Sequence, residues 1–254
     1  MPLLLLIRVK SMIVRTIFVL IASFIATFSY ANCSAESTEL GAHYRITTTD
    51  HQTDKQSTRD FTLWRDGNRV AHQYHTKAMT ELWERVSNGT LRTVHYFDHY
   101  HRGIEYDPAE VKISHTSNDW QLKYQLISED FVKTLIKGPS EGFNCMALSV
   151  YSQTSSGSNV TLEWVDQLNL AKLYIEDNPT KSVKWELVEI IDDKAQVQKA
   201  FSRREDYKTT DYTDIGDNES DPFLMRMINL GHISHGASGF YDQDGHAIGQ
   251  GHQH

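Results

Sequence analysis

From about residue 43 onwards, apolar and polar residues alternate with a period of two. This period is typical of β-strands, whose side chains point in turn to the two faces of a sheet. Asp66-Gly67 and Asn88-Gly89 separate such segments, and both dipeptides are strong signals for hairpin turns. The pattern therefore predicts a meander of four antiparallel strands over residues 60–106, with residues 90–106 as the fourth.

The remaining chain is predicted to add strands and two helices. A helix is predicted over residues 128–137, with Ser128 as its cap and Gly138-Pro139 at its end, and another over 221–231, capped by Asp221. Further strands are predicted at 109–115, 119–127, 146–153, 159–166, 170–176 and 182–192, and short helices or loops at 193–222. These elements predict a mainly β (α+β) protein with a large curved antiparallel sheet and a few helices.

One part of this pattern is similar to a known family. Residues 146–192 contain Trp164-Val-Asp166 followed by two further predicted strands. This segment resembles the three-strand segment of the periplasmic LolA, LolB and RseB-like proteins, which are unclosed β-barrels. Ala171 stands where those families usually have proline. The resemblance implies a concave apolar ligand site and carries over no catalytic residues, because those families have none.

The first 31 residues differ from the rest of the chain. They hold Arg8, Lys10 and Arg15 and no acid, then an apolar stretch over 16–28, with the small residues Ser29 and Ala31 at positions −3 and −1 of a cut after Ala31. This order is typical of a secretory signal peptide, and the alternative is an uncleaved membrane anchor. The predicted organisation is a signal peptide over 1–31, a β-rich domain over 32–230 and a Gly/His-rich tail over 231–254. The protein is expected to be periplasmic or secreted, with membrane contact only through the signal segment before cleavage.

Removal of such a signal changes the charge balance. The chain has 25 Lys+Arg and 33 Asp+Glu, a net charge of −8, and loss of three positive charges takes it to −11. An acidic protein without a basic face argues against binding nucleic acid. In an oxidising compartment, Cys33 and Cys145 allow a single disulfide. The alternative is that Cys145 is a small buried residue and no disulfide forms.

Histidines are concentrated in two places. The tail carries five of the 13 in the chain, which are His232, His235, His246, His252 and His254. Imidazole is a common ligand of Cu, Zn and Ni, so the tail is a candidate transition-metal site. The alternative is a polar terminus that binds metal without specificity.

The second group is His95 to His101, where His95, Phe97, His99 and His101 would share one face of a strand. His99 and His101 are candidate ligands of one ion, with His72 or His75 as a possible third. The alternative is a solvated sheet face.

Tryptophans give the last candidate site. Trp64, Trp83, Trp164 and Trp185 fall in separate predicted strands and are candidates to line an apolar cavity, or else simply belong to the core. The first functional hypothesis is therefore an exported, non-enzymatic binding protein for an apolar small molecule or lipid. The alternatives are a metal-binding or metal-homeostasis protein acting through its histidines and, lastly, a metal-dependent hydrolase.

Overall fold

The computed structural model describes residues 35–87, 90–106, 117–142, 147–155, 157–218 and 220–230. Twelve strands form one sheet, and the helices pack on it. The strands are β1 (Glu39–Asp50), β2 (Lys55–Asp66), β3 (Arg69–Tyr74), β4 (Met79–Arg85), β5 (Leu91–Phe97), β6 (Arg102–Tyr106), β7 (Ile136–Glu141), β8 (Leu148–Ser155), β9 (Ser158–Val165), β10 (Leu170–Asp177), β11 (Lys181–Ile191) and β12 (Lys208–Asp211). The helices are α1 (Ser117–Gln125), α2 (Glu129–Thr134), α3 (Lys194–Ser202), a 3₁₀ helix (Tyr212–Asn218) and α4 (Pro222–Asn229).

The sheet is open, with the strand order β12-β6-β5-β4-β3-β2-β1-β11-β10-β9-β8-β7. Every neighbouring pair is antiparallel except β12 and β6, which are parallel. In the part of the chain that the structure describes, β7 and β12 lie at the two ends and the sheet does not close. The predicted fold class, mainly β with an unclosed sheet and a few helices, is confirmed.

The two faces of the sheet carry different helices. On β1, Leu40, Ala42, Tyr44 and Ile46 are buried on one face, which we call the α1 face because Trp120 of α1 packs in the same cluster. Helices α2 and α4 also pack on residues of this face. The core of the α1 face comprises Leu40, Ala42, Tyr44, Ile46, Phe61, Leu63, Val70, Trp83, Trp120, Leu148, Val165, Leu168 and Leu170.

The opposite face, which we call the α3 face, is covered by the helix that follows β11. Trp64 and Ala71 of the sheet pack there with Val197 and Phe201 of α3. A Cβ at Gly41 would lie 2.6 Å from the Trp64 ring, so only glycine at this position lets the indole lie against β1. The single-residue alternation of β1 and β2 therefore builds two separate apolar layers.

Arg65 joins the elements of the α1 face. Its side chain is completely buried and donates hydrogen bonds to four backbone carbonyls: those of Ser37 (3.0 Å), Tyr124 (2.8 Å), Leu168 (2.6 Å) and Asn169 (2.8 Å). Its guanidinium also lies 3.8 Å from the centre of the Tyr124 ring. Burial lowers the pKa of Arg65 to about 10, so the group keeps its charge at neutral pH. One side chain thus ties the start of the domain, the end of α1 and the β9–β10 turn to strand β2.

Most predicted elements are confirmed. The hairpin at Asp66-Gly67 joins β2 to β3, and the predicted strands between 146 and 192 correspond to β8–β11. Ser128 caps α2 and Asp221 caps α4. The predicted end of the first helix is wrong, because α2 ends at Thr134 and Gly138-Pro139 lie inside strand β7. The predicted strand at 109–115, the Asn88-Gly89 turn, the segment 1–31 and the tail 231–254 lie outside the described residues, as do Cys33 and Cys145.

The predicted strand at 119–127 is wrong, because Ser117–Gln125 forms α1. Trp120, Leu122 and Tyr124 alternate with polar residues, which favours a strand. Trp120 and Tyr124 are also four residues apart, and in the helix their rings lie 6.3 Å apart on one side. Packing of that pair on the α1 face determines the outcome.

The single strand predicted over 90–106 is also wrong. The chain turns at residues 98–101 between β5 and β6, so the meander of residues 60–106 has five strands in place of four. His101 takes the left-handed backbone conformation (φ 49°) that glycine usually supplies in such a turn. The turn therefore lacks the residue type that would have marked it in the sequence.

We expect Arg65→Met to destabilise the protein strongly. Methionine fills similar space but donates no hydrogen bond, and each buried carbonyl left without a donor costs roughly 1–3 kcal/mol. The free energy of unfolding, measured in urea, should fall by at least about 3 kcal/mol. The matched control is Arg45→Met, since Arg45 is 51% exposed and, within the described residues, forms an ion pair with Asp60 alone. In this variant the free energy of unfolding should fall by less than about 1 kcal/mol. Losses of similar size in both variants would contradict the role assigned to Arg65.

Candidate functional site

A cavity of about 260 Å³ lies between the sheet and the segment that links α1 to α2. Its lining residues are Tyr44, Leu126, Ile127, Ser128, Phe131, Ala171, Tyr174 and Trp185. Tyr44 lies on β1, Ala171 and Tyr174 on β10, and Trp185 on β11. Tyr174 is the direct cross-strand partner of Trp185, and the rings of Tyr44 and Trp185 meet edge to face at 6.2 Å. Antiparallel pairing thus places three aromatic rings from three adjacent strands around one space.

The opposite wall comes from a sharp change of direction after α1. Leu126 has φ +66°, and its N–H donates to the carbonyl of Leu122 at 2.8 Å. A left-handed residue commonly ends a helix, although a leucine in that conformation is uncommon and costs about 1 kcal/mol. Ser128 then accepts a hydrogen bond from the N–H of Phe131 at 3.2 Å and starts α2. The reversal places Phe131 across the cavity from the sheet.

The hydroxyl groups of the cavity are bonded to the protein itself. Tyr44 donates to the Ala171 carbonyl at 2.8 Å, and Tyr174 donates to Glu176 at 3.0 Å. Burial raises the pKa of both phenols, so both keep their protons. The Ser128 oxygen serves as the cap of α2. Among the residues that the structure describes, no charged side chain lines the cavity. The arrangement offers apolar ring faces to a ligand.

The four predicted ligand-binding tryptophans do not share one site. Trp185 lines the cavity, and Trp164 packs in the cluster behind Ala171. Trp83 is fully buried in the core of the α1 face, and Trp64 lies on the α3 face. Only Trp185 among them is therefore placed to contact a ligand in this cavity. The sequence does not identify Tyr44, Phe131 and Tyr174 as cavity residues, because their positions around one space depend on strand register and on where α2 packs.

The histidines predicted as metal ligands are placed differently from the expectation. His99 and His101 are exposed and lie in the β5–β6 turn, so they do not share a strand face with His95. The ring of His101 meets Tyr207 edge to face at 5.1 Å. Across the described ranges, no group of three or more His, Cys, Asp or Glu is positioned to hold a metal ion.

The remaining predicted ligands, His232, His235, His246, His252 and His254, fall in the tail outside those ranges, and their role stays a prediction. Within the described ranges, no helix has the length and apolar character to cross a membrane.

A buried row of ionisable residues lies on strands β3, β4 and β5 of the α1 face, outside the lining of the cavity. Glu81 on β4 is the direct cross-strand neighbour of His72 on β3 and of His95 on β5. Nε2 of His72 lies 2.7 Å from the Lys123 carbonyl and donates to it, since a carbonyl only accepts. The Glu81 carboxyl accepts a hydrogen bond from the Tyr74 hydroxyl at 3.2 Å. The alternation of β3 and β4 in the sequence contained this signal, because His72 and Glu81 occupy core-facing positions.

Burial sets the protonation of this row. It lowers the pKa of His72 and of His95 to about 3, and the nearby Lys123 charge acts in the same direction. It raises the pKa of Glu81 to about 7, against the opposing effects of Lys123 and Tyr74. At neutral pH both histidines are therefore neutral, and Glu81 is close to its midpoint.

Comparisons with known proteins find only distant structural similarities. No family model and no curated protein matches it. A solved structure of PNGF-II is similar over 68% of this chain at 7% identity and a TM-score of 0.36, and this chain spans only 31% of that protein. An outer membrane lipoprotein-sorting protein domain from Vibrio parahaemolyticus is similar over 64% of this chain and 92% of its own length, at 11% identity and a TM-score of 0.30.

A LolA superfamily protein from Nitrosomonas europaea is similar over 62% of this chain and 90% of its own length, at 9% identity and a TM-score of 0.28. The resemblance inferred from residues 146–192 thus recurs among solved structures. Likenesses at these TM-scores do not identify a function.

We expect the buried row to make the stability of the protein depend on pH. His72 and His95 bind protons only after unfolding, so they remove stability as the pH falls through 6.5. Glu81 has the opposite sign, because its raised pKa lets the folded state bind a proton that the unfolded state releases above pH 4.5. Between pH 6.5 and 5.5 the three groups together should lower the free energy of unfolding by about 1 kcal/mol.

Glu81→Gln separates the two contributions. The variant lacks the carboxyl whose protonation offsets the effect of the two histidines, and it keeps an acceptor for Tyr74. Its free energy of unfolding should therefore fall by about 2 kcal/mol between pH 6.5 and 5.5. Urea unfolding of both proteins at pH 6.5 and 5.5 measures this. A shallower pH dependence in Glu81→Gln than in the parent protein would show that Glu81 is not held with a raised pKa.

Proposed function

We propose that this protein is an exported, non-enzymatic binding protein that holds an apolar group in the cavity between α1–α2 and strands β1, β10 and β11. The observation that carries the proposal is the lining of that cavity. Aromatic rings of Tyr44, Phe131, Tyr174 and Trp185 surround it, and its described lining residues include no charged side chain. A ligand with many polar groups would lose its bonds to water there without replacement.

The size of the cavity limits the ligand. A cavity of roughly 150 Å³ lined by apolar residues is enough to bind benzene, whereas drug-sized molecules occupy roughly 300–1,000 Å³. At about 260 Å³ this cavity suits one short acyl chain or one small apolar molecule. For a lipid, part of one chain would enter and the headgroup would stay outside. Each Å² of apolar area that the ligand and the cavity remove from water contributes about 25 cal/mol to the favourable free energy of binding.

Export is proposed from the first 31 residues, whose basic start, apolar stretch and small residues at the cut are typical of a signal peptide. The mature protein would then work in the periplasm or outside the cell, where Cys33 and Cys145 have the chance to form a disulfide. A carrier suits that setting, because an acyl chain needs shielding from water on its way between membranes.

We expect Ala171→Phe to block binding. Ala171 lines the cavity, and a phenyl ring on its Cβ would take up the space that an acyl chain needs. Titration of the purified protein with dansyl-labelled undecanoic acid, followed by dansyl fluorescence, should show saturable binding in the parent protein. In Ala171→Phe the affinity should fall by at least about tenfold, equivalent to ~1.4 kcal/mol.

The matched control is Ala71→Phe. Ala71 is equally buried but lies on the α3 face, so this variant carries a similar overpacking cost of roughly 1–3 kcal/mol without touching the cavity. It should bind the probe like the parent protein, provided that circular dichroism shows both variants folded. Equal affinity in the two variants, or no saturable binding by the parent protein, would refute the proposed site.

A further inference from the structure

A second cavity, of about 310 Å³, lies on the opposite side of the sheet near the end of α3. Its lining residues are Gln73, Tyr74, His75, Ala78, Asp98, Arg203 and Tyr207. Gln73 and His75 alternate with Tyr74 along β3 and its end, so they belong to the α3 face with Ala71. Unlike the first cavity, this one is lined by several groups that donate hydrogen bonds.

Asp98 is the one carboxylate among the described residues of this lining, and it already forms an ion pair. Oδ1 of Asp98 accepts from Nε of Arg204 at 2.7 Å and from the Tyr207 hydroxyl at 3.3 Å. Oδ2 accepts from Nη2 of Arg204 at 3.0 Å and from the Thr80 hydroxyl at 2.7 Å. Arg204 is only 2% exposed, so this ion pair is shielded from water. Asp98 is therefore a fixed part of the wall and presents little free negative charge.

Arg203 supplies the positive charge among the described residues of this lining. Arg45, Arg69, Arg92, Arg102 and Arg204 each pair with a carboxylate, whereas within the described residues no ion pair involves Arg203. Its side chain is accessible from solvent. Partial burial and the neighbouring charge of Arg204 lower the pKa of Arg203, against the opposing effects of Asp98 and Tyr207, and an added anion would stabilise its charged form.

Gln73 contributes a donor whose direction is fixed. The Trp64 indole N–H donates to Oε1 of Gln73 at 2.9 Å. Because an indole only donates, this bond defines the amide orientation and leaves Nε2 with two N–H groups. His75 is held as well, since its Nε2 lies 2.8 Å from the Thr62 hydroxyl and its ring stacks on His43.

We propose that this pocket binds a small oxyanion, a carboxylate or a phosphate group, with the Arg203 guanidinium as the main partner and the Gln73 amide as a second donor. A guanidinium presents its N–H groups as a planar fork that matches both kinds of anion. The site lies on the opposite face from the apolar cavity and does not depend on the function proposed for that cavity.

The proposal is tested by titrating the full protein with inorganic phosphate and, separately, with acetate. In ¹H–¹⁵N spectra, the Gln73 side-chain amide and the Arg203 Nε–H should shift and saturate, and the tighter of the two anions identifies the preferred chemistry. Arg203→Gln should weaken binding by about tenfold or more, since a charge-assisted pair is lost. Arg203→Lys, which keeps the charge and loses the fork, should retain part of the affinity.

Arg226→Gln is the control for general charge. It removes one exposed arginine from α4, which packs on the α1 face of the sheet and does not line this cavity, and should bind both anions like the parent protein. Two results would overturn the proposal. One is the absence of saturable shifts at Gln73 with either anion. The other is an equal loss in Arg203→Gln and Arg226→Gln, which would indicate an adventitious ion only.

Discussion

The fold of the α1 face depends on a buried positive charge that is satisfied by backbone carbonyls and not by an acid. Arg65 donates to carbonyls from three separate parts of the chain, namely Ser37, Tyr124 and the Leu168–Asn169 turn. Each of these segments lacks regular pairing at that point, so the guanidinium takes the place of the missing backbone donors. The end of α1 is thereby fixed on the sheet, and the direction of the following chain is fixed with it.

The apolar cavity follows from that constraint. After Tyr124, whose carbonyl is bound by Arg65, the chain reverses at Leu126 and starts α2 at the Ser128 cap. This path leaves a space between Phe131 and the rings of β1, β10 and β11. The two tyrosine hydroxyls beside this space are bonded to the protein, so the space needs no water to satisfy them. A binding function fits a cavity whose polar groups are all engaged and whose walls belong to the sheet and a clamped segment.

Much of the sheet could be predicted from the sequence, because alternation and the Asp66-Gly67 turn act locally. The errors have physical causes that act at longer range. The 119–127 segment has a strand-like alternation, yet Trp120 and Tyr124 are neighbours on a helix and pack together in the core of the α1 face. The turn after β5 uses His101 in a conformation that its residue type does not announce.

Only the type of the candidate site can be predicted from the sequence. The sequence predicts an apolar site on a sheet and includes Trp185 among its residues. Its neighbours depend on strand register, which places Tyr174 opposite Trp185 and sends Trp64 to the other face. Register depends on the pairing of the whole sheet, so it cannot be predicted from the identity of single residues.

We propose that the cavity at Trp185 receives the apolar part of a ligand. The most direct measurement is an isotope-filtered nuclear Overhauser experiment on the full protein with a ¹³C-labelled decanoate. We expect contacts from the chain methylenes to the ring protons of Phe131, Tyr174 and Trp185, and none to Trp64 on the other face. Contacts confined to other surfaces, or no contact with these three rings at saturating ligand, would contradict the account.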